Sequence, residues 1–207
     1  MGRAKIAVFV SGGGTNLQAL LDAQHDGRLK SGEIVLVLSS RSDAYALVRA
    51  EQNHIPAVVL QRKDHADQDA YEEELVRLMQ EKEIDLIILA GFMSILSRKF
   101  TDRFPERILN VHPSLIPSFC GKGFYGIHVH EAALRYGVKV SGATVHYVNE
   151  IPDGGRIIKQ KAVSVQDGDT PETLQKRIMK EAEWIILPEA AEEVSAKIIG
   201  SERKTNA

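Results

Sequence analysis

The chain has 207 residues, of which 43% are hydrophobic and 26% are charged, and its formal net charge is −2. These values are typical of one globular domain with a sizeable core, so we expect residues 1–207 to form a single domain. Because the charge is nearly balanced, neither nucleic acid nor an anionic membrane is expected as a partner. Cys120 is the only cysteine, which excludes an internal disulfide and a Cys-rich zinc site. Since the sequence has no long apolar segment, we predict a cytoplasmic location.

Apolar runs of strand length alternate with helical patterns through the first half of the chain. Strands are predicted at 6–10, 34–39, 57–60, 85–90 and in the run that ends at 112. Helices are predicted directly after Asn16, at 43–53 with Ser42 or Asp43 as the cap, at 69–82 and at 97–103. Continuous apolar strands joined by helices are typical of sheets covered on both faces. The pattern therefore predicts a doubly wound, mostly parallel α/β sheet with right-handed crossovers.

The pattern changes after residue 112. A long loop rich in Gly and Pro is predicted at 113–127, a helix at 128–137 and two strands at 141–148 and 157–163. If the two strands form a hairpin, they add an antiparallel extension to the sheet.

Helical patterns return in the last forty or so residues. One helix is predicted to begin at Asp169 or Thr170, with Pro171 in its first turn. The final helix is predicted to break near Pro188, and the tail 200–207 is predicted to fray.

Two polar side chains end the strand before the long loop. Asn110 and His112 are two residues apart, so both side chains point to the same side of the strand, and Pro113 then ends the hydrogen-bonded ladder. In open α/β sheets ligands bind at the carboxyl ends of the strands. The pair therefore indicates a functional site, the alternative being residues that only cap a strand.

A glycine-rich loop, Ser11-Gly12-Gly13-Gly14-Thr15-Asn16, joins the first strand to the first helix. Glycines allow close backbone approach, and the N-terminus of a helix attracts anions, so the loop favours a phosphate monoester as ligand. It lacks the lysine of a nucleoside-triphosphate loop. A tight turn without a ligand is the alternative.

Asp153, in a Pro-Asp-Gly-Gly turn, is the third feature expected at this end of the sheet. A carboxylate near an imidazole favours the charged imidazolium, which together with a carboxamide can stabilise the oxyanion of a tetrahedral intermediate. This chemistry is acyl transfer, and it requires no nucleophilic Ser or Cys. A metal site built from His112, His128, His130 and His146 is the alternative, but the second and third of these would lie on different faces of a helix.

Four motifs together resemble the glycinamide ribonucleotide formyltransferases of purine biosynthesis. They are Asn110–Pro117, Ser11–Leu17, Ala90–Met93 and Asp153–Gly155. The resemblance extends from Lys5 to about Pro188. The H-P-S-L-x-P run is shared with the wider group of formyltetrahydrofolate-using enzymes, whereas the glycine-rich loop indicates the phosphoribosyl substrate. A Rossmann-like formyltransferase fold is implied.

The resemblance also implies roles for individual residues. Asn110, His112 and Asp153 match the catalytic set, with 10-formyltetrahydrofolate as co-substrate and no metal. The residues that match substrate phosphate and ribonucleotide contacts are Gly13, Gly14, Thr15, Asn16, Leu17, Lys180 and Glu183. Those that match the folate-binding loop are Met93, Ser94, Ile95 and Leu96, together with Asn110. The amino-terminal half would bind phosphate and the carboxy-terminal half would contribute to the folate site. Small-molecule partners are expected, and a homodimer is an open alternative to a monomer.

The sequence departs from the family pattern at four places. Ser94 and Gln68 stand where many members have Arg, the segment 120–126 is longer than usual, and Trp184 replaces the usual His after Glu183. Two other functions stay open at this stage. One is hydrolysis of formyltetrahydrofolate or formylation of a charged tRNA, whose enzymes carry an extra domain for which this chain has no room. The other is a nucleotide- or folate-binding module without chemistry.

Overall fold

The computed structural model describes residues 2–205, and it describes side chains as far as residue 201. These residues form one seven-stranded sheet. Its strands are β1 (Ala4–Val10), β2 (Gly32–Ser39), β3 (Ala57–Val59), β4 (Leu86–Leu89), β5 (Ile108–His112), β6 (Val140–Tyr147) and β7 (Ile157–Ser164). Their order across the sheet is β3-β2-β1-β4-β5-β6-β7. The first five strands pair in parallel, and β6 pairs antiparallel with both β5 and β7.

Helices cover both faces of this sheet. They are α1 (Thr15–His25), α2 (Tyr45–Gln52), α3 (Gln68–Glu81), α4 (Arg98–Thr101), α5 (Ile127–Tyr136), α6 (Pro171–Ile178) and α7 (Trp184–Thr205). A 3₁₀ turn lies at Arg62–Asp64 and a π-helical turn at Met179–Glu183. The predicted doubly wound, mostly parallel sheet with an antiparallel extension is confirmed. None of the helices within residues 2–205 is long and apolar enough to cross a membrane.

The alternation of side chains along β1 divides the hydrophobic core in two. Val8 and Val10 pack with Leu17 of α1 and Leu187 of α7 on one face of the sheet. On the opposite face, the neighbouring residue Phe9 belongs to a second core with residues of α3 and α4. Because both faces are covered, the strand carries apolar residues at every position from Ile6 to Val10, which explains the uninterrupted apolar run.

The prediction that α2 is capped by Ser42 or Asp43 is wrong. The helix begins at Tyr45, and its capping residue is Ala44, which has no side-chain oxygen. Asp43 instead binds the guanidinium of Arg41, with Nε donating to Oδ1 at 2.9 Å and Nη2 donating to Oδ2 at 2.7 Å. A charged partner within the loop therefore competes successfully with the helix terminus for this carboxylate.

The predicted start of the C-terminal helices agrees with the structure, whereas the predicted break does not. Thr170 caps α6 in a capping box with Thr173, as predicted. The predicted break at Pro188 is wrong, because Pro188 lies inside α7. The irregular turn lies upstream at Met179–Glu183, where the wider π turn buries both Ala182 and Glu183. Residues 200–205 of the predicted frayed tail continue α7, and residues 206 and 207 lie outside the described part of the chain.

The connection between β6 and β7 makes a turn that depends on unusual backbone geometry. Asp153 has a positive φ of 57°. The Cα of Gly155 lies so close to the preceding strand that an added Cβ would be 1.7 Å from the carbonyl oxygen of Tyr147. Glycine is therefore the residue that the fold permits at position 155.

We predict that Gly155→Ala destabilises the protein by about 2–3 kcal/mol, because the added methyl group meets backbone that has to move. The change is measured as the free energy of unfolding in urea. Gly200→Ala is the control, since a Cβ at this helical position meets nothing within 4 Å. Equal stability of the two variants would contradict the prediction.

Candidate active site

A cavity of about 590 Å³ lies beside the ends of β4 and β5. Its lining includes Asn16, Asn110, His112, Asp153, Glu183, the loop residues 91–95 and the loop residues 121–126. All three predicted catalytic residues therefore line one cavity, and two of the predicted substrate-binding residues line it with them. The long segment after β5 forms part of its wall.

Asn110 is oriented by a histidine on the neighbouring strand. The register of β5 and β6 places Asn110 opposite His146, and Asn110 Nδ2 lies 3.1 Å from His146 Nε2. His146 Nδ1 lies 2.8 Å from the carbonyl oxygen of Tyr147 and must donate to it, since a carbonyl only accepts. In the neutral ring, Nε2 is then the acceptor for one amide N–H of Asn110. The second N–H of this amide stays available to a ligand.

His112 has an acceptor at each ring nitrogen. Its side chain is buried, with the residue 4% exposed. Nδ1 lies 3.5 Å from Asp153 Oδ2, and Nε2 donates to the carbonyl oxygen of Phe119 at 2.8 Å. Burial lowers the pKa of His112 below its ordinary value, although the Asp153 charge and the Phe119 carbonyl act in the opposite direction. The geometry thus suits an imidazolium that burial disfavours in the free protein.

Asp153 is the counter-charge of this site. Burial alone would raise the pKa of the carboxyl, but the neighbouring His146 ring, the charge of His112 and the N–H of Gly121 together hold the pKa below its ordinary value. Gly121 donates to Oδ2 at 2.8 Å, and Oδ1 lies 3.6 Å from His146 Nε2. Asp153 is therefore an anion at neutral pH, next to His112.

The N-terminus of α1 is arranged to hold an anion. Its capping residue Gly14 has φ 71° and no side-chain cap, and the first backbone bond of the helix is that of Gln18 N–H to the Gly14 carbonyl. The amides of residues 15–17 therefore have no acceptor within the helix. The side chain of Leu17 is buried in the core, so its predicted contact would be made by the backbone.

Positive charges gather near this helix terminus. Arg49 of α2 donates from Nε to the Gly13 carbonyl at 2.8 Å. A second cavity of about 390 Å³ is lined by Thr15, Arg49 and the predicted residue Lys180. Sequence reasoning missed Arg49, because it lies in no motif and reaches the loop only through the packing of α2 against it.

Glu183 and Asn16 contact each other although they are 167 positions apart in the chain. Asn16 Nδ2 donates to Glu183 Oε2 at 2.7 Å, while Glu183 is 6% exposed. Burial raises the pKa of Glu183 to about 7, and the hydrogen bond from Asn16 opposes this shift only in part. The contact connects the glycine-rich loop to the π-helical turn.

The residues of the predicted folate loop do not all face the cavity. Met93, Ser94 and Ile95 line the large cavity, whereas the side chain of Leu96 is buried in the core. The N–H of Met93 donates to Ser11 Oγ at 2.9 Å, so this loop is connected to the first residue of the glycine-rich loop. The sequence shows no signal for this contact, since the hydroxyl of a serine in a loop can bind many different partners.

The two histidines of α5 differ in environment, as their spacing predicts. His128 is exposed and bonds to Glu131 at 3.0 Å, whereas His130 is buried. Burial lowers the pKa of His130 to about 4, with a further contribution from the His112 charge. Among the described residues, no three His, Cys, Asp or Glu side chains are grouped so that they could hold a metal ion.

The site combines an amide, an imidazole and a carboxylate beside a helix N-terminus, in a doubly wound α/β fold. This arrangement defines a protein suited to acyl transfer onto a small anionic molecule. The sequence model of the protein family described as "Formyl transferase" matches residues 4–191. The chain therefore belongs to the formyl transferase family. The resemblance inferred from the sequence motifs is confirmed.

Individual relatives agree with this family. The phosphoribosylglycinamide formyltransferase of Haemophilus influenzae is 42% identical over 184 residues, which cover 89% of this chain and 84% of the relative. The chloroplastic phosphoribosylglycinamide formyltransferase of Arabidopsis thaliana is 42% identical over 180 residues, or 86% of this chain. This chain spans 61% of the Arabidopsis protein. It spans 19% of the Gallus gallus trifunctional purine biosynthetic protein adenosine-3, to which it is 42% identical.

Solved structures are similar over nearly the whole chain. The phosphoribosylglycinamide formyltransferase of Brucella melitensis has a TM-score of 0.86 and 40% identity, covering 94% of this chain and 97% of that one. The glycinamide ribonucleotide transformylase 1 of Symbiobacterium toebii has a TM-score of 0.87 and 40% identity, covering 96% and 89%. The fold around the site is thus that of known formyltransferases.

We predict that Glu183→Gln becomes more stable relative to the wild type as the pH rises. Because the pKa of Glu183 is raised from 4.5 to about 7, the folded wild type binds the extra proton between these values and loses stability as the pH rises through them. Glutamine carries no such penalty. The difference in unfolding free energy should grow by about 3 kcal/mol between pH 4 and pH 8.

Urea denaturation of both proteins across this pH range measures the difference. Glu181→Gln is the control, because Glu181 is exposed on the same turn and its substitution removes a carboxylate that is not buried. A constant difference for Glu183→Gln would contradict the raised pKa.

Proposed function

We propose that this protein transfers the formyl group of 10-formyltetrahydrofolate to the amine of 5'-phosphoribosylglycinamide, a step of purine biosynthesis. The observation that supports this most directly is the grouping of Asn110, His112 and Asp153 around one cavity, with His112 Nδ1 at 3.5 Å from Asp153. Membership of the formyl transferase family supports the same reaction. Small molecules are the proposed partners, in the cytoplasm.

In the proposed mechanism, the substrate amine attacks the formyl carbon and a C–N bond forms. The negative charge moves to the formyl oxygen, where the free N–H of Asn110 donates to it and the positive charge of His112 stabilises it. Burial disfavours this positive charge in the free protein. The developing oxyanion offsets the penalty, so the stabilisation is larger in the transition state than in the ground state.

The attacking nitrogen must lose a proton and the leaving N10 must gain one. Asp153 is ionised and lies beside His112, so we assign it both the support of the imidazolium and a part in this proton transfer, directly or through water. When the bond between the formyl carbon and N10 breaks, the proton goes to N10. The products are the formylated amine and tetrahydrofolate.

The two substrates are assigned to opposite parts of the site. The phosphate is assigned to the N-terminus of α1, where the backbone amides of residues 15–17 and the charge of Lys180 favour an anion. The flat ring of the folate is assigned to the loop formed by Met93, Ser94 and Ile95, which lines the large cavity. This assignment places both the phosphate-binding amides and the folate loop in the first half of the chain, and the second half contributes Lys180.

We predict that His112→Ala lowers kcat/KM by at least about 100-fold, because the oxyanion loses the adjacent positive charge. The reaction is followed by the absorbance change of the folate and by the appearance of formylated ribonucleotide. His128→Ala is the matched control, since His128 is exposed and outside the cavity lining. Full activity of folded His112→Ala would rule out the mechanism. Release of formate without formylated amine would instead identify a hydrolase.

We also predict that Lys180→Ala raises KM for the ribonucleotide several-fold and leaves KM for the folate unchanged. Lys180 lines the cavity next to Thr15, so its removal weakens attraction for the phosphate. Lys176→Ala is the control, because Lys176 is also exposed but does not line this cavity. Initial rates at varied concentration of each substrate separate the two constants, and an equal change in both would contradict the assignment.

A further inference from the structure

A buried carboxylate lies outside the catalytic cavity, on the helix behind the folate loop. Glu72 of α3 is 3% exposed and forms no ion pair with any described residue. A buried charge without a cation is costly unless several hydrogen bonds compensate for it. The carboxylate is therefore expected to have strong donors, and its partners indicate what it does.

Within the described part of the chain, two residues supply the hydrogen bonds that Glu72 accepts. Oε1 accepts from Gln68 Nε2 at 2.7 Å and from the backbone N–H of Ser97 at 2.7 Å. Oε2 accepts a short bond from the hydroxyl of Ser97. Ser97 is the capping residue of α4, and it directly follows the loop that lines the cavity. Glu72 therefore fixes the end of this loop to α3 through charge-assisted bonds.

Gln68 adds a second point of attachment. Its Nε2 also donates to the carbonyl oxygen of Ile95 at 3.2 Å, and its Oε1 accepts from Arg62 Nε at 3.1 Å. The side chain of Gln68 is thus held on two sides while it binds the loop. Together, Glu72 and Gln68 hold the loop at Ile95 and at Ser97.

The segment held in this way carries exposed apolar side chains. Met93 and Ile95 are exposed where they line the cavity, and they have little packing of their own to fix them. At the other end, the N–H of Met93 is held by Ser11 Oγ at 2.9 Å. The path of the loop is therefore set by polar contacts at both ends. The contacts at Ile95 and Ser97 come from α3.

We propose that Glu72, assisted by Gln68, is a positioning residue that holds the loop of residues 93–97 in the shape that receives the flat ring of the folate. The proposal rests on the proposed function, which assigns the folate to this loop. Glu72 does not line the cavity, so it acts only through the loop. α3 packs on the face of the sheet opposite to α1, whose N-terminus is assigned to the phosphate, so the removal of Glu72 affects the two substrates unequally.

The test compares Glu72→Ala with Glu72→Gln. Alanine removes the carboxylate oxygens that accept from Gln68 and Ser97 and leaves the bond of Gln68 to the Ile95 carbonyl, and we expect KM for 10-formyltetrahydrofolate to rise about tenfold while KM for the ribonucleotide stays within about twofold. Glutamine keeps one acceptor oxygen for Gln68 Nε2 and the Ser97 N–H, so it should restore the folate KM to within about threefold of the wild type. Glu73→Ala is the control, because Glu73 is an exposed neighbour on the same helix.

Calorimetric titration with tetrahydrofolate gives a readout that does not depend on turnover. We expect its Kd to rise about tenfold in Glu72→Ala and to be unchanged in Glu73→Ala. If Glu72→Ala does not fold, Gln68→Ala replaces it, since this change removes the bond to Ile95 and leaves the two from Ser97. It should raise the same Kd at least threefold.

Three outcomes would overturn the proposal. In the first, the folded variant has a folate KM and a tetrahydrofolate Kd within twofold of those of the wild type. In the second, KM rises equally for both substrates. In the third, the wild type does not bind tetrahydrofolate. A wild type that binds tetrahydrofolate but forms no formylated ribonucleotide would overturn the proposed function alone, because the titration would still measure the positioning by Glu72.

Discussion

The arrangement of the site depends on the change from parallel to antiparallel pairing at β5. The part of β6 that pairs with β5 runs from Thr144, opposite His112, to Tyr147, opposite Leu109, and so leads the chain away from the end of β5 that carries the imidazole. The connection to β7 must therefore fold back over the sheet to bring Asp153 to 3.5 Å from His112. The positive φ of Asp153 and the close approach of Gly155 to Tyr147 are the local requirements of this return.

Burial gives the polar groups of the site their particular properties. The pKa of His112 is lowered by burial, and that of Glu183 is raised by burial to about 7. Asp153 is partly buried, yet its pKa falls, because the donors and positive charges around it outweigh its burial. Depth of burial and neighbouring groups thus decide together which of the two carboxyls is ionised at neutral pH. One cavity therefore contains the ionised carboxylate of Asp153 and the carboxyl of Glu183, whose pKa is near neutrality.

Much of the fold followed from local patterns in the sequence. Apolar runs located the strands, and Thr170 with Pro171 marked the start of α6, because capping depends on residues close in sequence. The errors came from competition with distant or neighbouring partners. Asp43 binds Arg41 instead of capping α2, and the irregular turn expected near Pro188 lies upstream, where Glu183 is buried against Asn16. Such competition cannot be read from helical propensity.

The sequence by itself determined which residue types were available and which side of each strand they face. The two-residue spacing of Asn110 and His112 and the position of the glycine-rich loop after β1 are properties of the local chain, since side-chain alternation depends only on backbone geometry. The tertiary structure decided the distances. It brought Asp153 to His112, placed Arg49 against the glycine-rich loop and attached the loop of residues 93–97 to Glu72. These contacts join distant segments, and their geometry follows from how helices and turns pack around the sheet.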